Sequence, residues 1–338
     1  MTDVIPDINY VLNLKANSYL RWDVAYESLD ENAQIILYGQ STKANQRFIF
    51  MSLDNQLYAI VSANSGKVVY TNGDKFYQAS WNGDDSQKWS LTNTSANYFE
   101  IKSQKYGKVA SYGSGGGEYV DLDYPNAGDN DRLFQLIFDQ PANSLSKPSL
   151  PVPQNRPSVP TYTSGPYETM PDRSESRVVG ASHIPYFMVN DGSRSDNIKL
   201  NSSPYYKLLK EVYWEKVFST VVAPNQQQQY SYTTGVSSED QKTMSDTLQM
   251  TFGLDLGLNF QKATAALSAS ITRTLNTTIS STNSNSTSTS ISSVVSGTAG
   301  YVTGYTIYQL VSKYTLYRAD GTSVSNPVIT RSPNEIVN

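Results

Sequence analysis

The side chains able to do covalent or acid–base chemistry are few in kind. Among 338 residues there is one histidine, His183, and no cysteine, against 30 Asp and Glu. Without a thiol there is no cysteine nucleophile, thiolate zinc site or disulfide framework. A single histidine excludes multi-histidine metal centres and leaves at most one serine–histidine pairing. His183 sits in the apolar run Ala181-Ser182-His183-Ile184-Pro185 and reads as a structural or surface residue. Thirty carboxylates always contain some pair suited to glycoside hydrolysis, but no spacing marks two of them out. The glycine-rich run Gly113-Ser114-Gly115-Gly116-Gly117 has no helical pattern after it, so it reads as a turn rather than a phosphate cradle. The expectation is a protein that is not an enzyme, with no catalytic residue, no metal and no cofactor.

Binding and assembly are left, and they depend on the elements that carry polar side chains. With 38% hydrophobic and 17% charged residues the chain can bury cores and is not disordered. A net charge of −4 gives no general attraction to phosphate backbones, so nucleic acid is excluded as a partner, and any membrane contact must be specific. Tyrosine supplies 25 of the aromatics, beside 10 Phe and 4 Trp, which favours strands and wet surfaces. The start, Met-Thr-Asp-Val-Ile-Pro-Asp-Ile, has no basic stretch followed by an apolar run, so synthesis without a signal peptide is expected. Pro141, Pro148, Pro151, Pro153, Pro157, Pro160 and Pro166 predict an extended linker over 141–166 between domains at 1–140 and 167–338.

The first domain repeats itself. Gln46-Arg47-Phe48, Gln87-Lys88-Trp89 and Arg132-Leu133-Phe134 recur at spacings of 41 and 45 residues, each after a short strand and turn. Three units of this kind resemble the ricin B-type β-trefoil lectins, in which the aromatic fills the core and the glutamine fixes a turn. The resemblance implies a sugar site in the first repeat with Asp23, Gln34, Asn45 and Gln46 as polar grips. Ile36 falls at the platform position, with Tyr38 nearby. In the second repeat Tyr77 is the candidate platform and Ser86 replaces the Asn; in the third Arg132 replaces the Gln.

In the second domain Leu248, Met250, Phe252, Leu254, Leu256, Leu258 and Phe260 alternate with Gln249, Thr251, Gly253, Asp255, Gly257 and Asn259. After Gln261-Lys262 the alternation resumes on Ala263, Ala265, Leu267, Ala269 and Ile271. Two amphipathic strands are predicted. Twelve steps of an extended chain span about 41 Å, enough for a tilted crossing of a ~30 Å hydrocarbon layer. An ordinary sheet with one face on a core accounts for the same pattern. The run from Ile279 to Ser293, almost wholly Ser, Thr and Asn, predicts polar strands, and the tail from Arg331 to Asn338 predicts a mobile end open to proteolytic trimming at Arg331.

Val189-Asn190-Asp191, Pro204-Tyr205-Tyr206 and Tyr213-Trp214, after a trefoil and a proline-containing join, resemble the Bin-like insecticidal proteins, the binary mosquitocidal toxins and their relatives. That resemblance implies an all-β chain, an N-terminal β-trefoil followed by an elongated aerolysin-like β-sheet domain. It also implies an insecticidal pore-forming toxin that binds glycans on gut cells, oligomerises with itself and inserts the 248–271 hairpin into the target membrane. The partners implied are a cell-surface glycan or glycoconjugate receptor, the membrane and further copies of the chain. A second toxin component is a further partner if it acts as its binary relatives do. The expected setting is a bacterial inclusion or release on lysis, with action outside the cell. The alternative reading is a carbohydrate-binding protein without pore activity.

Overall fold

The structure, a computed structural model, describes residues 4–53, 56–95, 97–113, 118–139 and 144–337. Residues 114–117 of the glycine run, 141–143 of the proline segment and Asn338 of the tail lie outside the described residues. The chain is all-β, with twenty strands and three short α-helices among the described residues. It divides into two compact units: residues 1–147, 185–205 and 262–267 form one, and 148–184, 206–261 and 268–338 the other.

In the first unit the strands are β1 (Asn9–Leu14), β2 (Leu20–Val24), β3 (Ile35–Gly39), β4 (Phe48–Ser52), β5 (Tyr58–Ser62), β6 (Val68–Thr71), β7 (Phe76–Ala79), β8 (Trp89–Ser95), β9 (Tyr98–Ser103), β10 (Val109–Tyr112), β11 (Val120–Asp123) and β12 (Phe134–Phe138). Antiparallel pairing runs β1–β4–β5–β8–β9–β12 and back to β1, closing a barrel without an edge. The hairpins β2–β3, β6–β7 and β10–β11 complete three repeats, which is a β-trefoil. Phe48, Trp89 and Phe134, the aromatics of the repeated tripeptide, are fully buried. Trp22 meets Phe48 and Phe134 edge-on at 5.7 and 5.6 Å, and Phe76 stacks on Trp89 at 4.9 Å.

The glutamines act on turns as expected. Gln46 donates to the Gly39 carbonyl at 2.8 Å and accepts from the Ser41 amide at 2.7 Å. Gln87 repeats this with Ser80 and Asn82, at 2.9 and 2.8 Å. Arg132 cannot accept; it donates to the Tyr124 carbonyl and pairs with Asp123 and Asp129 at 2.8 and 3.1 Å.

The second unit contains β13 (Arg177–Pro185), β14 (Tyr205–Val222), β15 (Gln227–Val236), β16 (Met250–Phe252), β17 (Leu258–Phe260), β18 (Thr289–Ser296), β19 (Thr303–Tyr317) and β20 (Val328–Val337), except that the end residues Pro185 and Tyr205 of the first two strands belong to the first unit. The main sheet has the order β13-β14-β19-β20-β15-β18, and β16–β17 is a separate two-stranded hairpin. Strands β14 and β19, 18 and 15 residues long, pair over nearly their whole length. Met170, Val179, Val212, Trp214, Tyr308 and Leu310 form one core cluster of this unit.

Four expectations change. The proline segment is not a free linker: Val159 and Tyr162 pack on that cluster and the Trp214 indole donates to the Pro157 carbonyl at 3.0 Å. The boundaries 1–140 and 167–338 give way to interleaved segments, because Trp81 donates to the Lys262 carbonyl and Thr264 to that of Leu53, both within the first unit. The tail is not mobile: β20 lies between β19 and β15, and Arg331 pairs with Glu215 at 3.2 Å, so trimming at Arg331 meets an interior strand rather than a loose end. The region 246–279 is not two long strands here. Helix α1 is Asp196–Ser202; α2 (Ser238–Leu248), capped by the Ser237 hydroxyl at the Asp240 amide, takes Leu248, and α3 (Ala265–Thr274) takes Leu267 and Ile271. Alanine-rich sequence favours helix, and Ser268, Ile271 and Thr272 fall on one helical face, where they are buried. Between them Met250 faces Phe260 and Phe252 faces Leu258, with the turn at Gly253–Gly257. A Cβ on Gly253 would stand 1.9 Å from the Ser280 hydroxyl, and Leu256 has φ of 59°, so this turn is specified by packing rather than by alternation.

Candidate functional site

In the first repeat β2 delivers Asp23 beneath the turn that Gln46 holds. The Asp23 carboxylate accepts from the Asn45 amide at 2.9 Å and from the Gln46 amide at 2.8 Å, and Asn45 also donates to the Val24 carbonyl at 3.0 Å. All three side chains are buried. Burial raises the Asp23 carboxyl above its usual range, the two amide donors counter this, and nearby Glu27 adds to the rise. Asn45 Oδ1 is buried without a hydrogen-bond partner among the described residues, which costs about 1–3 kcal/mol unless something outside the chain satisfies it.

Above this cluster is a cavity of about 370 Å³ lined by Asp23, Tyr26, Ile36, Tyr38 and Asn45, with Glu27, Ser41, Lys43 and Glu118 around it. Tyr26 is fully exposed and Tyr38 half-exposed. Tyr26 and Glu27 both have left-handed backbones, φ 58° and 56°, a conformation that costs about 1 kcal/mol or more in non-glycine residues and clusters at ligand sites. The Glu27 carboxylate pairs with Lys43. The arrangement offers amide and carboxylate grips at the floor and two tyrosine rings at the rim, a geometry that suits a polyol with one apolar face.

The structure brings Asp23, Tyr38 and Asn45 together and places Gln46 beneath them. It does not bring Gln34 to the cavity, and Tyr77, the second-repeat candidate, lies in that other repeat. The Gln34 carbonyl accepts from the Ala25 amide, and the Tyr77 ring stacks on Tyr70 at 5.5 Å in the second repeat. Tyr26, Glu27, Lys43 and Glu118 were missed. An aromatic–acid pair directly after Asp23-Val24-Ala25 was the available signal for the first two.

The sequence-predicted hairpin residues, all in the second unit but Leu267, differ in burial. Leu248, Met250, Phe252, Leu258 and Ile271 are buried, Leu254 is exposed, and Leu256, Phe260 and Leu267 are intermediate. Buried Gln241 clamps this hairpin: its amide donates to the Phe252 and Ser286 carbonyls at 2.8 and 3.0 Å, and it accepts from the Phe252 amide at 3.0 Å. His183 bonds the Pro148 carbonyl at 2.7 Å. Among the described residues no group of three His, Cys, Asp or Glu is placed to hold a metal.

A ricin-type β-trefoil in one chain with a domain of long antiparallel strands defines the class, and sequence comparison agrees. Residues 44–122 match the ricin-type β-trefoil lectin domain-like family, and residues 177–332 match the family described as insecticidal crystal toxin, P42. The chain is similar to the binary larvicide subunit BinA of Lysinibacillus sphaericus, 26% identical over 190 residues, covering 56% of this chain and 51% of that protein. It is similar to the insecticidal crystal protein Cry35Ab1 of Bacillus thuringiensis, 25% identical over 263 residues, 75% of this chain and 67% of the relative. The match thus spans about half the length of the BinA subunit. The Cry35Ab1 crystal structure shares the fold, with a TM-score of 0.86 at 19% identity over 99% of this chain and 90% of that one. The chain therefore resembles the Bin-like insecticidal proteins in both sequence and fold.

Proposed function

We propose that this protein is an insecticidal toxin that holds a neutral sugar in the first-repeat cavity, assembles with further copies of itself on the target membrane and inserts a hairpin built from residues 248–275. The relatives named as larvicide and insecticidal crystal protein support the toxin reading. Asp23, Glu27 and Glu118 outweigh Lys43 on the cavity wall, which disfavours anionic sugars.

The observation that carries the membrane step is the pairing of β15 with β18. Gln227 faces Ser296 and Thr234 faces Thr289 without a register shift, and residues 237–288 are the connection between them. Continued in that register past the present helices, Leu248 meets Leu275, Phe252 meets Ile271, Leu254 meets Ala269, Leu256 meets Leu267, and the turn falls on Gln261–Lys262. Directly opposed residues share a face. Of the seven pairs from Leu248 to Phe260, six are apolar on both strands; Met250 against Arg273 is the exception, near the base. Thr251, Gly253, Asp255 and Asn259 then meet Thr272, Ser270, Ser268 and Thr264 on the other face, as a water-filled lumen requires. Several chains are needed to close such a ribbon into a barrel. The same register pairs no glycan-binding residue, so the two activities are separable.

The sugar step is tested with Tyr26→Ala and Tyr38→Ala, because Asp23 also supports Gln46 and its removal would disturb the turn. Each variant is expected to keep the wild-type circular dichroism and lose about tenfold or more in glycan-array signal, a loss of about 1.4 kcal/mol. Wild-type binding by both variants would remove this cavity as the sugar site.

A further inference from the structure

A second cavity, of about 260 Å³ and wholly within the second unit, borders the turn that the proposed hairpin has to unfold. Lys210 and Arg156 line it together with Thr277, Ser312 and Asn334, and Leu254 and Leu256 stand at its wall. Lys210 is 8% exposed. Its ammonium donates to the Asn276 carbonyl at 2.8 Å and lies 5.9 Å from the centre of the Tyr314 ring. An ammonium has three N–H donors, and a buried one without a counter-charge is costly.

The charged neighbours do not provide that counter-charge. Arg156 is a like charge, and the Glu335 carboxylate is paired with it. Asp255, the other carboxylate on the wall, spends its oxygens on the Gly257 amide at 3.1 Å, the Ser281 amide and hydroxyl at 2.9 Å each, and the Ser280 hydroxyl at 2.7 Å. Burial, with Arg156 adding to it and Glu335 opposing, pushes Lys210 down to about 8. The lining thus combines a buried cation with Ser312, the Asn334 amide and Thr277, whose hydroxyl also bonds the Tyr314 phenol, a set able to hold several oxygens of one anion at once.

We propose that the cavity bounded by Lys210, Arg156, Thr277, Ser312 and Asn334 binds a phosphate group, carried by a soluble phosphate ester or by an anionic phospholipid. The Lys210 ammonium pairs with one phosphate oxygen, the hydroxyls and the Asn334 amide donate to the others, and Leu254 and Leu256 flank the organic part. Because the wall includes the 254–256 turn, an occupied cavity ties that turn to β14 and β19.

The test measures acetylation of Lys210 in the full-length protein by limiting acetic anhydride, read by peptide mass spectrometry. The probes are inorganic phosphate, glycerol 3-phosphate, and vesicles of phosphatidylcholine with or without phosphatidic acid, each compared with chloride at equal ionic strength. About 10 mM of a soluble probe is expected to slow labelling of Lys210 about fivefold, as when ligand exceeds its dissociation constant several times, and to leave exposed lysines unchanged. Protection by soluble phosphate identifies the ester; protection only by phosphatidic acid vesicles identifies the headgroup. Equal labelling with every probe overturns the proposal. A phosphate-dependent rise in melting temperature kept by Lys210→Arg and lost by Lys210→Met is the second expected result. If Lys210→Met fails to fold, wild-type labelling decides alone. A rise of equal size in a folded Lys210→Met variant also overturns the proposal.

Discussion

Covalent closure of the short β16–β17 hairpin is expected to abolish membrane insertion. Thr251 faces Asn259 across it, and directly opposed residues of antiparallel strands have Cα atoms about 4.5–5.5 Å apart, within the range a disulfide spans. Thr251→Cys with Asn259→Cys meets no competing thiol, because the chain has no cysteine. In the inserted hairpin both positions lie on one strand, eight residues apart, which is about 27 Å against the roughly 7 Å a disulfide tolerates. No relaxation closes that gap. Without the bond, insertion must still extract Met250, Phe252 and Leu258, each fully buried, at about 1.5–3 kcal/mol apiece or about 5–9 kcal/mol in all. The assay is dye release from liposomes that the wild type permeabilises, with the double variant oxidised and then reduced. Oxidised protein is expected to release at background and reduced protein at the wild-type rate. Equal release by protein whose crosslink is verified by mass spectrometry would refute the register argument.

Two further outcomes follow from the same unit. Gln241→Ala removes three hydrogen bonds that hold Phe252 and Ser286, a loss of about 2–4 kcal/mol, seen as faster hydrogen exchange over 250–260 and an earlier onset of dye release. Lys210 has a folded pKa lowered from 10.5 to about 8, so its ammonium costs stability in full below pH 8, and the cost is relieved as pH rises from about 8 toward 10.5. Urea unfolding should therefore find Lys210→Met more stable than wild type by about 3 kcal/mol at pH 7, the difference shrinking toward pH 10. A pH-independent difference would contradict the assignment, since the tyrosines titrate in both proteins.

The trefoil was legible because one tripeptide does two structural jobs. In Gln46-Arg47-Phe48 and Gln87-Lys88-Trp89 the aromatic reaches the barrel centre and the glutamine closes a turn, so the repeat that marks the sequence is the repeat that holds the fold. Asp23 and Asn45 could be placed beside each other for the same reason, because Asn45 directly precedes Gln46 and both amides donate to Asp23. Gln34 was misplaced because neighbouring repeats meet there and it bridges Tyr77 by backbone, while Tyr77 stands in the second repeat with its ring stacked on Tyr70. Tyr26 escaped because its left-handed backbone, which turns the ring outward, has no glycine to announce it. The region 246–279 was misread in conformation because its alternation is compatible with two arrangements. Caps at Ser237 and Thr264, and the packing of Gly253 on Ser280, select helices and a short hairpin here, and none of these is visible as periodicity. The tail looked mobile because Arg331 to Glu335 are polar, yet strand pairing with β19 and β15 and the packing of Ile336 on an apolar cluster hold it in the sheet.

The inserted hairpin is read directly by an environment-sensitive dye on single cysteines at each position from 248 to 260, measured on membrane-bound, conducting protein. Even-numbered positions are expected to report lipid and odd-numbered positions water, in strict alternation across Leu254 and Asp255. Uniformly aqueous signals on protein that conducts would contradict it and move the crossing element elsewhere in the chain.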